Sequence, residues 1–248
     1  PQWDFLNFMA DKAKKFPAYM LLMKAKAQGL IEEKGRIVGV RGKMTDGSEG
    51  PIEVRADLVV AADGRHSELR DQSGLDLEDV GAPMDVLWFR LPRASDDTDQ
   101  TQARFAAGHL FVMLNRGDYW QCAFVIPKGE NETVRKKGLE AFRKTIGKLV
   151  PFESERTGAI ASLDDVKLLT VQINRLTKWW RPGFLCIGDA AHAMSPVGGV
   201  GVNLAVQDAV AAANVLAPAF KAGGVGDKEL AAVQRRREWP TKVTQRLQ

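Results

Sequence analysis

The chain has 248 residues, 45% hydrophobic and 27% charged, with a formal net charge of +4. This is ordinary globular composition, long enough for one large or two modest cores, and it excludes the charge-rich, apolar-poor profile of a disordered chain. The basic residues are scattered; the short runs Lys12–Lys15, Arg135–Lys137 and Arg235–Arg237 read as solvated helix faces rather than nucleic-acid patches.

In chain order, apolar residues at Phe5, Met9, Ala13 and Phe16 predict an amphipathic helix from Trp3 to Phe16, stopped by Pro17. A strand is expected to start at Tyr19 and run to Lys26. Leu30–Arg41 reads as two strands joined at Lys34-Gly35, and the Thr45–Gly47 turn with Ile52–Arg55 completes an antiparallel meander. Asp57–Ala62 is a buried-looking strand ending at Asp63-Gly64, followed by a helix opened by Ser67.

Past Pro83, strands are predicted at Val86–Pro92, Gly108–Leu114 and Tyr119–Ile126, the last two joined by a turn at Asn115–Asp118. A helix from about Thr133 to Leu149 and a strand at Val166–Ile173 follow. A further strand ends at Gly188-Asp189, a Pro/Gly loop runs through Pro196 and Gly198-Gly199-Val200-Gly201, and a charge-poor helix starts where the glycines stop. Asn203, Gln207, Asp208, Asn214 and Pro218 argue that this apolar stretch, Val197–Phe220, is buried in protein rather than inserted in a membrane.

Cys122 and Cys186 lie in apolar strand-like runs without Cys-x-x-Cys spacing, which predicts reduced, buried thiols in a cytoplasmic protein. His66, His109 and His192 have no metal-ligand spacing, so no metal is expected, and there is no Gly-x-Ser-x-Gly elbow for acyl transfer.

Two strand-to-helix turns carry the functional signal. Asp57-Leu-Val-Val-Ala-Ala-Asp-Gly-Arg-His-Ser-Glu-Leu-Arg70 and Gly183-Phe-Leu-Cys-Ile-Gly-Asp-Ala-Ala-His192, the latter continuing through Pro196 and Gly199–Asn203 to Asp208, each put a carboxylate and bare backbone N–H groups at the end of a strand. They resemble, in order, the Asp-Gly and Gly-Asp motifs of the flavin-dependent aromatic hydroxylases, the group A monooxygenases built like p-hydroxybenzoate hydroxylase. The resemblance covers about Gln2 to Asp208. It implies an α/β fold: a partial FAD-binding Rossmann-like domain with an inserted, mainly antiparallel β-sheet substrate domain. Residues 1–83 and 176–217 are assigned to the FAD-binding domain, 84–175 to the substrate domain and 218–248 to a C-terminal helical segment.

The family's opening Gly-x-Gly-x-x-Gly turn, which holds the cofactor pyrophosphate, has no counterpart here: neither Gly198–Gly201 nor Gly223–Gly226 has the spacing. With a start at Pro1 inside a predicted helix, the expectation is the carboxy-terminal part of a longer protein, lacking a βαβ unit of roughly 30 residues or more and inactive by itself. The alternative is a natural protein without that site.

The resemblance implies FAD and NAD(P)H as cofactors and hydroxylation of a small aromatic or conjugated molecule; a reductase or dehydrogenase of the same fold and a non-catalytic remnant are the alternatives. It assigns Gln2, Asp63, Gly64, Gly188, Asp189, Pro196, Gly199, Val200, Gly201, Val202 and Asn203 to the cofactor, with Pro196 at the flavin's reactive edge. Each has a plainer reading as well. Asp189 would cap a short helix at Ala190–Ala193, Pro196 break a loop, Asp63 end a strand and Asn203 cap a helix. Reduced flavin is an anion, so the helix N-terminus after Gly201 is suited to face it. On alternation, Trp88 shares a face with Arg90 and Tyr119 with Gln121; these four are the candidate substrate residues, the alternative being sheet packing with exposed polar groups. The expected partners are a small-molecule substrate and molecular oxygen, with a homodimer admitted and neither nucleic acid nor stable membrane insertion.

Overall fold

The computed structural model describes residues 2–47, 50–106, 108–196 and 198–248, with only the backbone of Gln2. In chain order the helices and strands are α1 (Gln2–Ala13), β1 (Ala25–Glu33), β2 (Arg36–Met44), β3 (Pro51–Arg55), β4 (Val59–Ala61), α2 (Glu68–Gln72), β5 (Leu77–Asp79), β6 (Met84–Pro92), β7 (Gln102–Ala106), β8 (His109–Asn115), β9 (Tyr119–Pro127), α3 (Asn131–Gly147), β10 (Lys167–Leu169), β11 (Asn174–Leu176), β12 (Trp180–Arg181), β13 (Phe184–Cys186), α4 (Gly201–Lys221) and α5 (Asp227–Leu247). They form two compact units. One comprises Pro1–Asp76, Leu176–Ala191 and Ala205–Trp239; the other comprises Leu77–Arg175, His192–Leu204 and Pro240–Gln248.

In the first unit, β1, β2 and β3 form the predicted antiparallel meander. Its first turn falls at Lys34-Gly35, both with positive φ (50° and 78°), as a tight two-residue hairpin requires. A second sheet has the order β12-β13-β4, with β13 parallel to β4 through Phe184↔Val59, Leu185↔Val60 and Cys186↔Ala61. Phe184, Leu185, Cys186 and Trp179 are wholly buried and pack with Ile37, Leu216 and Val233. Gly183 is obligatory before β13: its φ is +76°, and a Cβ would meet the Ile37 carbonyl oxygen at 1.9 Å.

The second unit is built on an antiparallel sheet of order β10-β6-β9-β8-β7, joined by a two-stranded β11-β5 sheet. Leu87, Phe89 and Leu91 share a core with Phe111, Phe124, Phe142 and Ile146, while Val86, Trp88, Val112 and Ala123 belong to a second cluster. Alternation along β6 therefore divides two apolar layers, as expected for a sheet covered on both faces. The helix predicted from Thr133 begins at Asn131 and is kinked at Gly138, whose φ and ψ are 82° and 170°.

Several expectations are corrected. Tyr19–Met23 forms no strand and is exposed, because the β1–β2 ladder ends at Ala25↔Met44. Helix α1 stops at Ala13; Phe5 and Met9 on its apolar side, and Phe16 beyond its end, stay exposed. The strand predicted at Val166–Ile173 shrinks to β10, because Val171 N–H leaves the ladder to donate to Asp85 (2.9 Å). β7 was not anticipated. Cys122 and Cys186 are free and fully buried, and burial pushes both thiols up to about 12. Among the described residues no helix is long and apolar enough to cross a membrane, and no group of side chains is placed to hold a metal ion.

Asp85, 3% exposed, ties the sheet to its connections: it accepts from Val171 N–H, Gly129 N–H (3.0 Å) and Lys128 Nζ (2.8 Å). Burial pushes its carboxyl up, but the Lys128 ammonium and the two N–H donors outweigh that, leaving it below the ordinary carboxylate value. Asp85→Ala leaves the buried Val171 N–H unsatisfied and should cost about 1–3 kcal/mol at pH 7 by urea titration. Because the native-state value is depressed, this contribution is present above pH ~4 and lost as pH falls further, so the gap between wild type and variant should close in acid.

Candidate functional site

The parallel pairing of β4 and β13 places the ends of both strands at one edge of their sheet, so the loops that follow emerge side by side. After β4 come exposed Asp63, Gly64 with φ +89°, and Arg65; Ser67 then caps α2 by accepting from Arg70 N–H (3.0 Å). After β13 the ladder continues for one bond, Ile187 N–H to Ala61 O (3.0 Å), and the chain turns through Gly188–Ala190 as a single 3-10 turn. Asp189 lies within that turn, so it does not cap a helix at Ala190–Ala193; Ile187 stands at the cap position. Its carboxylate faces the Arg65 guanidinium at 3.6 Å, with the two side chains 32% and 25% exposed. That is a Coulombic contact, too long for a hydrogen bond.

Arg65 Nη1 is buried and has no hydrogen-bond partner among the described residues. A buried guanidinium nitrogen left without an acceptor is costly, and an anionic or hydroxyl-rich ligand at this edge would satisfy it. Gly188 is the turn's most constrained residue: φ is +58°, a Cβ would lie 3.0 Å from Ala205 Cβ, and its N–H donates to Asp208 Oδ2 (3.0 Å).

The loop from His192 and the first turn of α4 fall in the second unit. His192 and Ser195 are buried, and Gln245 of α5 holds the segment by donating to Asn174 O and Ala193 O (both 2.9 Å). Pro196 is half-buried, and its carbonyl accepts from Gly199 N–H (3.0 Å), closing a turn. Gly199 has φ +62° with nothing within 4 Å of a hypothetical Cβ, whereas Gly201 lies outside the positive-φ region and has Met194 at ordinary contact distance. Only the first of these glycines is therefore demanded by backbone geometry. Val202 and Asn203 are exposed on the first turn of α4 and Val200 is half-buried ahead of it; first-turn N–H groups lack intrahelical acceptors and point outward along the axis. Gln2 begins α1, but its side chain lies outside the described residues, as does all of Val197.

On the second unit's sheet, Arg90 pairs with Gln121, Pro92 with Tyr119 and Trp88 with Ala123. Directly paired residues share a face, so period two puts Trp88, Arg90, Tyr119 and Gln121 together. The Arg90 guanidinium lies 4.6 Å from the Tyr119 ring centroid, and Gln121 Oε1 accepts from Arg116 Nε (2.9 Å). Trp88, Arg90 and Gln121 line a cleft of about 550 Å³ with Asp165 and Lys167, the latter directly opposite Trp88 on β10. Sequence reasoning missed Arg65, Lys167 and Gln245. Arg65 was legible as the cation next to Asp63-Gly64; Lys167 and Gln245 gave no local signal.

The FAD binding domain family matches residues 1–247 of the chain. Among curated proteins, 6-methylpretetramide 4-monooxygenase from Streptomyces rimosus is 32% identical over 100% of this chain and 59% of its own length. Digeranylgeranylglycerophospholipid reductase 2 from Methanothermobacter thermautotrophicus is 28% identical over 98% of this chain and 60% of its own. The chain thus spans about three fifths of the length of each of these two relatives. Among solved structures, that of pqsL, a probable FAD-dependent monooxygenase from Pseudomonas aeruginosa, aligns with a TM-score of 0.76 at 22% identity, covering 96% of this chain and 65% of the other. The paired acidic turns, the orphaned Arg65 nitrogen and the full-length match lead to one conclusion: this chain belongs to the FAD binding domain family.

Proposed function

We propose that the protein is an FAD-dependent monooxygenase that uses NAD(P)H and molecular oxygen to hydroxylate a small aromatic or conjugated substrate. The observation that carries this reading is the Arg65–Asp189 pair at the ends of β4 and β13, in a chain 32% identical along its whole length to a named monooxygenase. When bound, FAD supplies the electron storage and oxygen activation that no side chain here offers.

The chain's own residues bind and orient. Asp189 accepts hydrogen bonds from ribityl hydroxyls, Arg65 neutralises negative charge on the cofactor's phosphates, and Asp63-Gly64 flanks the same edge. Gly188 allows the turn that presents Asp189. The left-handed Gly199 leaves open space beside the loop, the backbone N–H groups of Val200, Gly201, Val202 and Asn203 favour negative charge, and Pro196 stiffens the approach. Trp88 and Tyr119 give an aromatic surface, with Arg90 and Gln121 to hold an acidic or phenolic group of the substrate. The domain assignment follows the same logic: 1–83 with 176–217 for FAD, 84–175 for substrate and 218–248 as the helical end. A cytoplasmic location and a homodimer complete the proposal. The reductase among the relatives favours a second reading, FAD-dependent reduction without oxygen transfer.

NAD(P)H-dependent oxygen uptake by the complete protein, coupled to a product heavier by one oxygen atom, is the expected result; NAD(P)H oxidation under nitrogen with a hydrogenated product would establish the reductase reading instead. Asp189→Ala should weaken FAD binding roughly ten- to a hundredfold, the loss of about 1.5–3 kcal/mol from a charge-assisted contact, and leave the circular dichroism spectrum unchanged. Gly199→Val should slow flavin reduction by NAD(P)H even at saturating FAD, because a β-branched residue cannot hold φ +62° without strain. If excess FAD restores both variants equally, the loop has no role at the ring. Arg90→Ala should raise KM for an acidic substrate about tenfold with a smaller change in kcat, read from steady-state kinetics.

A further inference from the structure

The α4 helix carries only two charged residues, Asp208 and Lys221, and Asp208 is completely buried. Its Oδ2 accepts from Gly188 N–H (3.0 Å) and its Oδ1 from Arg237 Nε (2.7 Å), a guanidinium on α5 that is itself 7% exposed. All three residues lie in the first compact unit, with Asp189 and Arg65.

Stability alone is a poor reason for this arrangement. Burying two charges costs several kcal/mol each, and a well-packed apolar substitute for a buried ion pair is often as stable. The bond to Gly188 N–H supplies a different reason. Gly188 must hold φ +58° against Ala205, and it is the residue immediately before Asp189. A carboxylate fixed by Arg237 cannot rotate away, so the Gly188 N–H has one available direction and the turn one conformation. Asp208 has no accessible surface.

We propose that the buried Asp208–Arg237 pair is a positioning device for the cofactor site: Arg237 orients Asp208, Asp208 locks the Gly188 turn, and the turn sets the carboxylate of Asp189 against FAD. This rests on the reading of Asp189 as a cofactor ligand. It makes FAD affinity depend on two residues out of the ligand's reach, one of them on the helix nearest the end of the chain.

The test uses the complete protein, with FAD affinity read by quenching of flavin fluorescence, the visible absorption band of bound flavin, and circular dichroism at a temperature where each variant is folded. Asp208→Asn replaces one acceptor oxygen by an N–H donor that meets either the Gly188 N–H or the Arg237 Nε–H, so FAD Kd should rise at least tenfold and the flavin band should shift. In Asp208→Asn/Arg237→Gln the asparagine amide gains an acceptor and its oxygen is returned to Gly188, so affinity should recover to within about threefold of wild type. Two results overturn the assignment: wild-type affinity in a folded but less heat-stable Asp208→Asn, or a double variant that binds FAD no better than the single. If Asp208→Asn does not fold, Arg237→Lys carries the test. It keeps the charge but loses the fixed Nε–H donor, so a Kd rise of threefold or more is expected and an unchanged Kd overturns the proposal. Asp189→Ala is the control. If it binds FAD normally, the cofactor reading falls and the positioning role falls with it; if it alone weakens binding, only the positioning role is lost.

Discussion

The meeting of the Arg65 and Asp189 turns depends on β13 lying parallel to β4. Antiparallel neighbours would send their following loops to opposite ends of the sheet; parallel ones deliver both to the same end. The two strands are only three residues each, yet they are separated by more than a hundred residues of chain. Their register is secured by side chains rather than length: Phe184, Leu185 and Cys186 are fully buried, and Gly183 fits against the Ile37 carbonyl where no Cβ could pass. Shifting the register by one residue would exchange the faces of Phe184 and Cys186 with that of Leu185 and move Asp189 away from Arg65.

Carboxylates recur where the backbone leaves regular structure. Asp85 takes up the N–H groups of Gly129 and Val171 as those segments depart from the sheet. Asp97 accepts from Ala94 N–H, Trp120 Nε1 and Arg156 Nη1, pinning the connection after β6. Asp208 does the same for the Gly188 turn. In each case the charge is paired with Lys or Arg while its remaining lone pairs fix irregular backbone, which is the condition under which a buried carboxylate is tolerated.

The meander, the three long strands of the second sheet and the start of α4 were legible because alternation and glycine placement are local signals. So were Asp63 and Asp189, each at the end of an apolar run. What escaped depended on distant partners. β7 is mostly exposed and has no clear alternation. The strand expected through Ile173 is cut short by a carboxylate 86 residues away. Tyr19–Met23 looks strand-like by composition but has no partner in the β1–β2 ladder. Asp208 was visible in the sequence only as a charge unsuited to a membrane, because the Gly188 N–H and the Arg237 guanidinium that it accepts from lie in a turn 20 residues before it and a helix 29 residues after it.

The two cysteines are distributed one to each compact unit, Cys186 in β13 and Cys122 in β9. Each is fully buried, and burial pushes its thiol up to about 12, away from the reactive thiolate. Alkylation or oxidation must therefore wait for the surrounding sheet to open. The protein thus contains two native clocks: the rate at which a thiol reagent modifies Cys186 times the opening of the β12-β13-β4 sheet, and the rate at Cys122 times the opening of the sheet that holds β9, without any introduced probe.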